Sequence, residues 1–485
     1  MLLHPLDIAV IIAYLALCVL IGLKVGGKPG DANSYFTSRG KVPWWAVSFF
    51  IVATETSMLT VISIPAVAYL GSLVFLQLVI GYIIGRMFVA WLMLPAYFSG
   101  EQQTAYSFFK ARFGVNFRKA ISGTFLTTRL LADGVRLFAA AIPIKVITGL
   151  DYPTSILIIA SLTLAYTYYG GLKSVIWIDV MQLMVYIFGG IFIISYIVGD
   201  DFASPMQTLS DAGKFVVIQL PTSFSDVFFT TYNLIGAVIG GIFLTLASHG
   251  TDHLIVQRLI ACGNLKNARK ALVSSALFVF VQFALFLTVG LMLFLHYGGA
   301  TIETLGVNNS DEIILKFVSE EIPAGVAGLI IAGLFAAAMS TLSSSLSALS
   351  STTLFDIFPK LAERPDVMKI SRLLMVLWTL VFFLFAVSFT STENPIVELG
   401  LGIAGFTYGG LLGAFFVGRF TNFGTKSAFA GLISCVVGMA IIIFTAGIAW
   451  PWYTFIGIVI FYSVSWSTSR ILGDTIETTP SSQTL

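Results

Sequence analysis

The chain has 485 residues, 57% of them hydrophobic and only 10% charged, with a mean hydropathy of +0.93. A soluble chain carries about a quarter charged residues, so this composition excludes an ordinary soluble enzyme and indicates a bilayer as the main solvent. A net charge of +2 gives no reason to expect nucleic acid as a partner.

Apolar runs of about 20 residues, the length that crosses a bilayer as a helix, recur from end to end. About thirteen spans are predicted, at 5–24, 43–69, 72–98, 119–147, 154–170, 174–198, 227–250, 270–296, 323–353, 371–390, 394–417, 427–446 and 449–468. With the N-terminus outside, only Lys145, Lys214 and Lys316 fall in outer loops, and Arg86, Arg129 and Arg136 fall within spans. The other twenty of the 26 Lys and Arg lie on the cytoplasmic side. The positive-inside rule therefore predicts an all-α polytopic membrane protein with N-out, C-in topology.

The first span lacks a basic leader and a small-residue cleavage site, so it is expected to remain as a helix. The span at 43–69 carries the polar cluster Thr54-Glu55-Thr56-Ser57 at mid-depth. The next span reads LVFLQLVIGYIIGR and offers only Gln77 and Arg86 as long polar groups. Arg129, Asp133 and Arg136 then form a ladder on one helix face. Charges at this depth must be paired or line water. Either Asp133 braces the two arginines, or Arg136 binds a solute carboxylate while Glu55 faces an amine. Asp133 neutralises one arginine, which leaves one positive charge for Glu55 or a ligand.

Asp179, in VIWIDVMQ, lies about five residues inside its span, and an intramembrane acid is a functional-site candidate. The span at 227–250 holds Asn233, Gly236, Gly240 and Gly241. Those residues mark either the partner of 43–69 in a pair of broken repeat helices or points of close helix packing. The repeats would cover 41–198 and 226–418, with 1–40 before them and 419–485 after. Cys18, Cys262 and Cys435 have no metal or redox spacing and are expected to be buried small residues. Asn308-Asn309-Ser310 matches a glycosylation sequon by pattern alone. His253 is expected to be structural, and Glu398 to be solvated near the outer end of its span.

Seven of the twelve positions from Ser340 to Ser351 are serine. On a helix Ala337, Ser340, Thr341, Ser344, Ser347 and Ser351 fall on one stripe. A lone Ser bonds its own helix, but a stripe supplies many neutral oxygens. Neutral oxygens with one carboxylate suit Na⁺, whereas zinc would need His or Cys. At about 1.5 Å per residue, Ser343 and Ser344 lie as deep from the inner face as Asp179. Ala337 and Ser340 lie near mid-depth with Ala53 to Ser57.

The stretches VATETSMLTVISIPAVAY (52–69), AYTYYGGLKSVIWIDVMQ (165–182), TDHLIVQR (251–258), AGLIIAGLFAAAMSTLSSSLSALSS (327–351) and GLLGAFFVGRFT (410–421) resemble the sodium/solute symporters, which include sodium/proline, sodium/galactose and sodium/sialic acid carriers. The resemblance covers nearly the whole chain. It implies a LeuT-like five-plus-five inverted repeat with one extra N-terminal and two extra C-terminal helices. It also implies a main sodium site from the carbonyls of Ala53, Thr56 and Ala337 and the hydroxyls of Ser340 and Thr341. A second site, where members have one, maps to Asp179, Ser343 and Ser344. Glu55 departs from the family, which more often has a neutral residue there. Glu55, Ser57, Thr60, Gln77 and Arg136 are the candidate solute contacts.

The expected function is sodium-coupled symport of a small polar organic solute (sugar, amino acid or organic acid) by alternating access. One or two Na⁺ serve as coupling ions, and no enzymatic chemistry or obligatory protein partner is expected. The location expected is a plasma membrane, the bacterial inner membrane first. Proton coupling through Asp179 or Glu55 is the alternative within transport, and a sensor or a channel of the same fold are the alternatives beyond it.

Overall fold

In a bilayer each backbone N–H and C=O must be satisfied by the protein itself, and a helix does this within one segment. The computed structural model describes residues 4–26, 42–98, 105–199, 203–388 and 396–475, which are helical apart from short connections and one isolated bridge between Phe423 and Thr475. Among the described residues nine helices are long and apolar enough to cross a membrane, or ten if the bent pair Trp44–Glu55 and Met58–Leu70 counts as one span. Lys28, Arg39 and Lys41 of the expected inner cations, part of the acidic loop at 199–204, and the end of the tail lie outside the described residues.

The first half comprises α1 (Pro5–Gly26), α2 (Trp44–Glu55), α3 (Met58–Leu70), α4 (Leu76–Phe88, continued by a π turn to Phe98), α5 (Ser107–Thr148) and α6 (Tyr152–Val198). The second comprises α7 (Leu234–Gly250), α8 (His253–Ala261), α9 (Leu265–His296), α10 (Val326–Thr352), α11 (Val367–Val387), α12 (Ile396–Phe420), α13 (Thr425–Thr445) and α14 (Tyr453–Leu472).

The two longest helices are α5 and α6. α5 is broken at Gly114, whose φ of 86° only glycine adopts readily, so the membrane part starts after it. α6 has 47 residues, about 70 Å if straight, yet both its ends pack on α10. Tyr166 donates to the Met339 carbonyl at 2.9 Å. Further on, Gly333 packs on Val185 and Gly189 on Ile330. The segments before Tyr168 and after Val175 thus meet α10 at neighbouring levels, Met339 and Ile330–Gly333. The two spans expected at 154–170 and 174–198 both fall within this helix.

Other contacts fix relative directions. Asp7 at the start of α1 accepts from Gly325 and Gly328 N–H at 2.6 and 2.8 Å, so it caps the start of α10 and sets the two helices parallel. Ser274 donates to Ser48 at 2.9 Å and Gly290 packs on Pro65, so α9 runs parallel to the α2–α3 pair. α4 and α7 run parallel as well, their backbones in contact at Gly81 and Gly241, where a β-carbon on either glycine would strike the other helix.

That contact settles the role of the α7 glycines. They are packing points, Gly240 lying on Pro451, and Asn233 caps α7 by accepting from Gly236 N–H at 2.8 Å. The helix breaks instead after Gly250, at Thr251 and Asp252, before α8 begins. Gly250 ends α7, and Asp252 serves as the N-cap of α8 through Leu254 N–H at 2.9 Å. The first break lies between α2 and α3, which meet at 62°.

Candidate ion and solute site

Both breaks open onto one central cavity of about 100 Å³, walled by Thr54, Glu55, Ser57 and Thr60 from the first break. Thr245, Ser248 and His249 from α7, Arg129 and Arg136 from α5, Thr341 from α10 and Tyr408 from α12 complete its polar lining. Phe75 covers it, stacked on Phe283 at 5.2 Å and tilted against Tyr232 at 5.6 Å. Tyr232 also donates to Glu398 at 2.8 Å, so this acid is tied to a loop rather than left to solvent.

At the first break the backbone leaves the helical ladder. Ser57 N–H turns to the Glu55 carbonyl at 3.0 Å and Thr60 N–H to the Ser57 carbonyl at 2.9 Å. The carbonyls of Ala53 and Thr56 thereby lose the donors a continuous helix would supply. α10 packs across this point, with Thr341 sharing the cavity wall with Thr54 and Ser57. Ser340 is fully buried and its hydroxyl has no partner, while Thr341 donates weakly to the Ala337 carbonyl at 3.3 Å. Ala53, Thr56, Ala337, Ser340 and Thr341 are thus placed around the same break.

Asp179 on α6 faces Ser340 and Ser344 and interacts with both hydroxyls electrostatically. Neither of its oxygens meets a hydrogen-bond partner of proper geometry, and Ser344 Oγ has none either. Ser343 donates to the Ser340 carbonyl at 3.0 Å and keeps its lone pairs as acceptors. A buried carboxylate ringed by hydroxyls without partners has the donor set of a hard cation site, because each unmet oxygen is costly without one. The mid-depth set has no carboxylate, but the Ala53 and Thr56 carbonyls freed at the break and the unpartnered Ser340 hydroxyl are neutral oxygens of the kind Na⁺ takes.

The cationic ladder differs. Arg129 pairs with Asp133 at 3.2 Å and with Asp252, to which its Nε donates at 3.0 Å, and it also donates to Tyr408. Tyr408 donates to Asp252 at 2.8 Å, Arg136 pairs with Asp133 at 2.8 Å, and Ser345 donates to Asp133. Two arginines therefore meet two aspartates, and the expected leftover positive charge is absent. Asp252 supplies the missing partner from the second break, 123 positions away in sequence. Arg136 uses one terminal nitrogen on Asp133, remains 19% exposed, and faces the cavity.

Glu55 is also committed. It pairs with the fully buried Arg86 and lies 2.7 Å from His249 Nε2, so it is not a free carboxylate awaiting an amine. Gln77 does not line the cavity: its amide donates to the Val74 and Tyr232 carbonyls at 3.1 Å, and its oxygen accepts from Gln219 N–H at 3.1 Å. The sequence reading missed Asp252, His249, Tyr408 and Ser248. Asp252 had a signal in TDHLIVQR, where an Asp precedes an amphipathic run as an N-cap. His253 is structural as expected, accepting from Ala105 N–H at 3.2 Å and meeting Ser351 at 3.0 Å.

Comparison with known proteins places this geometry. The sequence profile of the sodium:solute symporter family matches residues 35–434. The sodium/sialic acid symporter SiaT of Proteus mirabilis is 29% identical over 447 residues, 90% of this chain and 88% of that one. The sodium/sialic acid symporter NanT of Aliivibrio fischeri is 28% identical, over 89% and 86%. A substrate-bound outward-open structure of a Na⁺-coupled sialic acid symporter superposes with a TM-score of 0.87 at 26% identity, over 98% of this chain and 99% of that one. Mhp1, a nucleobase-cation-symport-1 transporter, shares the fold alone, with a TM-score of 0.52 at 13% identity over 92% and 95%. The chain is a multi-pass membrane protein that belongs to the sodium:solute symporter family, and it acts as a sodium-coupled solute symporter.

Proposed function

We propose that this symporter carries a small organic acid inward with sodium bound at two places. The first is Ala53, Thr56, Ala337, Ser340 and Thr341; the second is Asp179, Ser343 and Ser344. The solute's carboxylate lies on Arg136, and its polar groups on Ser57, Thr60 and the cavity edge of Glu55. The observation that carries the reading is the charge balance around the cavity. Arg129 and Arg136 are matched by Asp133 and Asp252, and Glu55 by Arg86. A neutral wall with one arginine nitrogen open to the cavity takes an anion most readily when Na⁺ enters with it. The two sialic acid carriers among the relatives transport a carboxylated sugar, which agrees with this class.

The topology belongs to the same reading: thirteen spans, N-out and C-in, in the bacterial inner membrane, with repeats at 41–198 and 226–418. Its support is the inner bias of the cations and the parallel pairing of α1 with α10 and of α4 with α7. Those pairings need an odd number of crossings between the partners, and the thirteen-span order gives seven and three. Proton coupling is the second reading, favoured by the contact of His249 with Glu55. The test is uptake into proteoliposomes for carboxylates, neutral sugars and amino acids, each under a sodium or a pH gradient. Carboxylate uptake that stops when choline replaces Na⁺ supports the proposal. Uptake that survives choline and follows the pH gradient contradicts it.

A further inference from the structure

Arg86, Arg129 and Arg258 are the buried arginines among the described residues. Arg86 and Arg129 hold carboxylates, but among the described residues no carboxylate lies within ion-pair distance of Arg258. Its Nη1 donates to the Leu254 carbonyl of its own helix, and its Nε and Nη2 have no partner. The guanidinium lies 4.3 Å over the Phe50 ring, one turn before Ala53 on α2. Phe50 lies on α2, which packs on α6 where Trp45 meets Trp177 at 5.9 Å, two residues before Asp179. Asp179 in turn has both oxygens unpaired. A buried cation and a buried anion thus lie near each other, neither satisfied.

We infer that Arg258 is a tethered counter-ion for Asp179, taking the carboxylate when the sodium site is empty and yielding it when sodium binds. This rests on the proposed sodium role of Asp179. Alternating access includes a return step without ion or solute, and in that step a bare carboxylate would remain buried among hydroxyls, an unfavourable state. A guanidinium held by an aromatic face and one carbonyl keeps rotational freedom, and in the proposed cycle it swings to that carboxylate. Because Arg258 and sodium compete for one carboxylate, Arg258 weakens sodium binding and speeds inward release. Removing it tightens sodium and stalls the empty return.

The experiment compares net uptake with solute exchange in proteoliposomes for R258Q, R258K, D179N and D179N/R258Q, with equilibrium ²²Na⁺ binding on the same samples. Exchange with saturating Na⁺ and solute on both sides does not need the empty return. In R258Q net uptake should fall at least about tenfold while exchange stays within about twofold, and sodium should half-saturate at severalfold lower concentration. R258K should keep most of the net uptake, and in D179N the further loss of Arg258 should change nothing. Equal loss of net uptake and exchange in R258Q, or unchanged sodium affinity, would overturn the inference. If R258Q does not fold, R258K decides: a sodium affinity and a net-to-exchange ratio matching D179N rather than wild type would also overturn it. D179N that binds as much sodium as wild type would overturn the second-site reading and this inference with it. A lower count in D179N with an unmoved R258Q ratio would overturn this inference alone.

Discussion

Two charged clusters flank the same pair of helix breaks, and they are built on opposite principles. In the Arg129–Asp133–Arg136–Asp252 cluster the carboxylates meet guanidinium, hydroxyl or backbone donors, across α5, α10, α12 and the α7–α8 break. Around Asp179, by contrast, the carboxylate, Ser340, Ser344 and Arg258 are buried with polar atoms unmet. A satisfied network in a low-dielectric interior holds helices in place. An unsatisfied one is kept only if something else completes it. The first cluster is built as a brace, and the second is the one proposed above as a seat for an ion. The sequence presents both as charges inside spans and does not distinguish them.

Removing one partner should separate the two most sharply. Asp133→Ala leaves Arg129 and Arg136 short of a buried carboxylate, and a loss of about 3–5 kcal/mol is expected. Thermal melting in detergent should show little folded protein, and a wild-type melt would count against the brace. Next in size, Ser340→Ala and Thr341→Ala should each raise half-saturating Na⁺ by about tenfold, roughly 1.4 kcal/mol. Melting in choline should stay at the wild-type temperature for Ser340→Ala, whose hydroxyl has no protein partner, and close to it for Thr341→Ala, which gives up only a weak bond to the Ala337 carbonyl. Unchanged sodium activation in both would remove the main site from α10.

Asp179→Asn is the mirror of Asp133→Ala. It removes a buried charge that lacks a protein ion pair, so melting in choline should hold or rise while the sodium-induced increase shrinks. A choline melt as low as that of Asp133→Ala would place Asp179 in a brace instead. Arg136→Lys should weaken half-saturation by the solute about fivefold, near 1 kcal/mol, and leave sodium activation alone. A shift in both would mean that Arg136 acts only through the ladder. Ser347→Ala, one turn beyond Ser343 and Ser344, should change neither by a measurable amount.

Much of the fold was legible because its cause is local. Apolar run length gives spans, and the serine stripe with Asp179 gives the elements that the structure brings together with unmet oxygens. What was hidden depends on contacts between distant segments. Arg129 and Asp252 are 123 positions apart, and Arg86 and Glu55 are 31 apart on different helices, so the ladder's charge balance could not be computed along the chain. The α7 glycines were ambiguous for the same reason, since a glycine at a break and one against a neighbouring backbone look alike until Gly81 is placed opposite Gly241. Gln77 was misjudged because its partners, Gln219 and Tyr232, lie in an outer loop with no periodic signal.

The central claim is that the unmet oxygens of Asp179, Ser340 and Ser344 are sodium ligands, and equilibrium ²²Na⁺ binding to purified carrier tests it most directly. Wild type and Asp179→Asn would be titrated with sodium at saturating solute. The account predicts saturable binding in both, with one ion fewer per carrier in Asp179→Asn and far weaker binding of the remaining ion when Ser340→Ala is added. Equal sodium counts in wild type and Asp179→Asn, with the added Ser340→Ala leaving affinity unchanged, would contradict it.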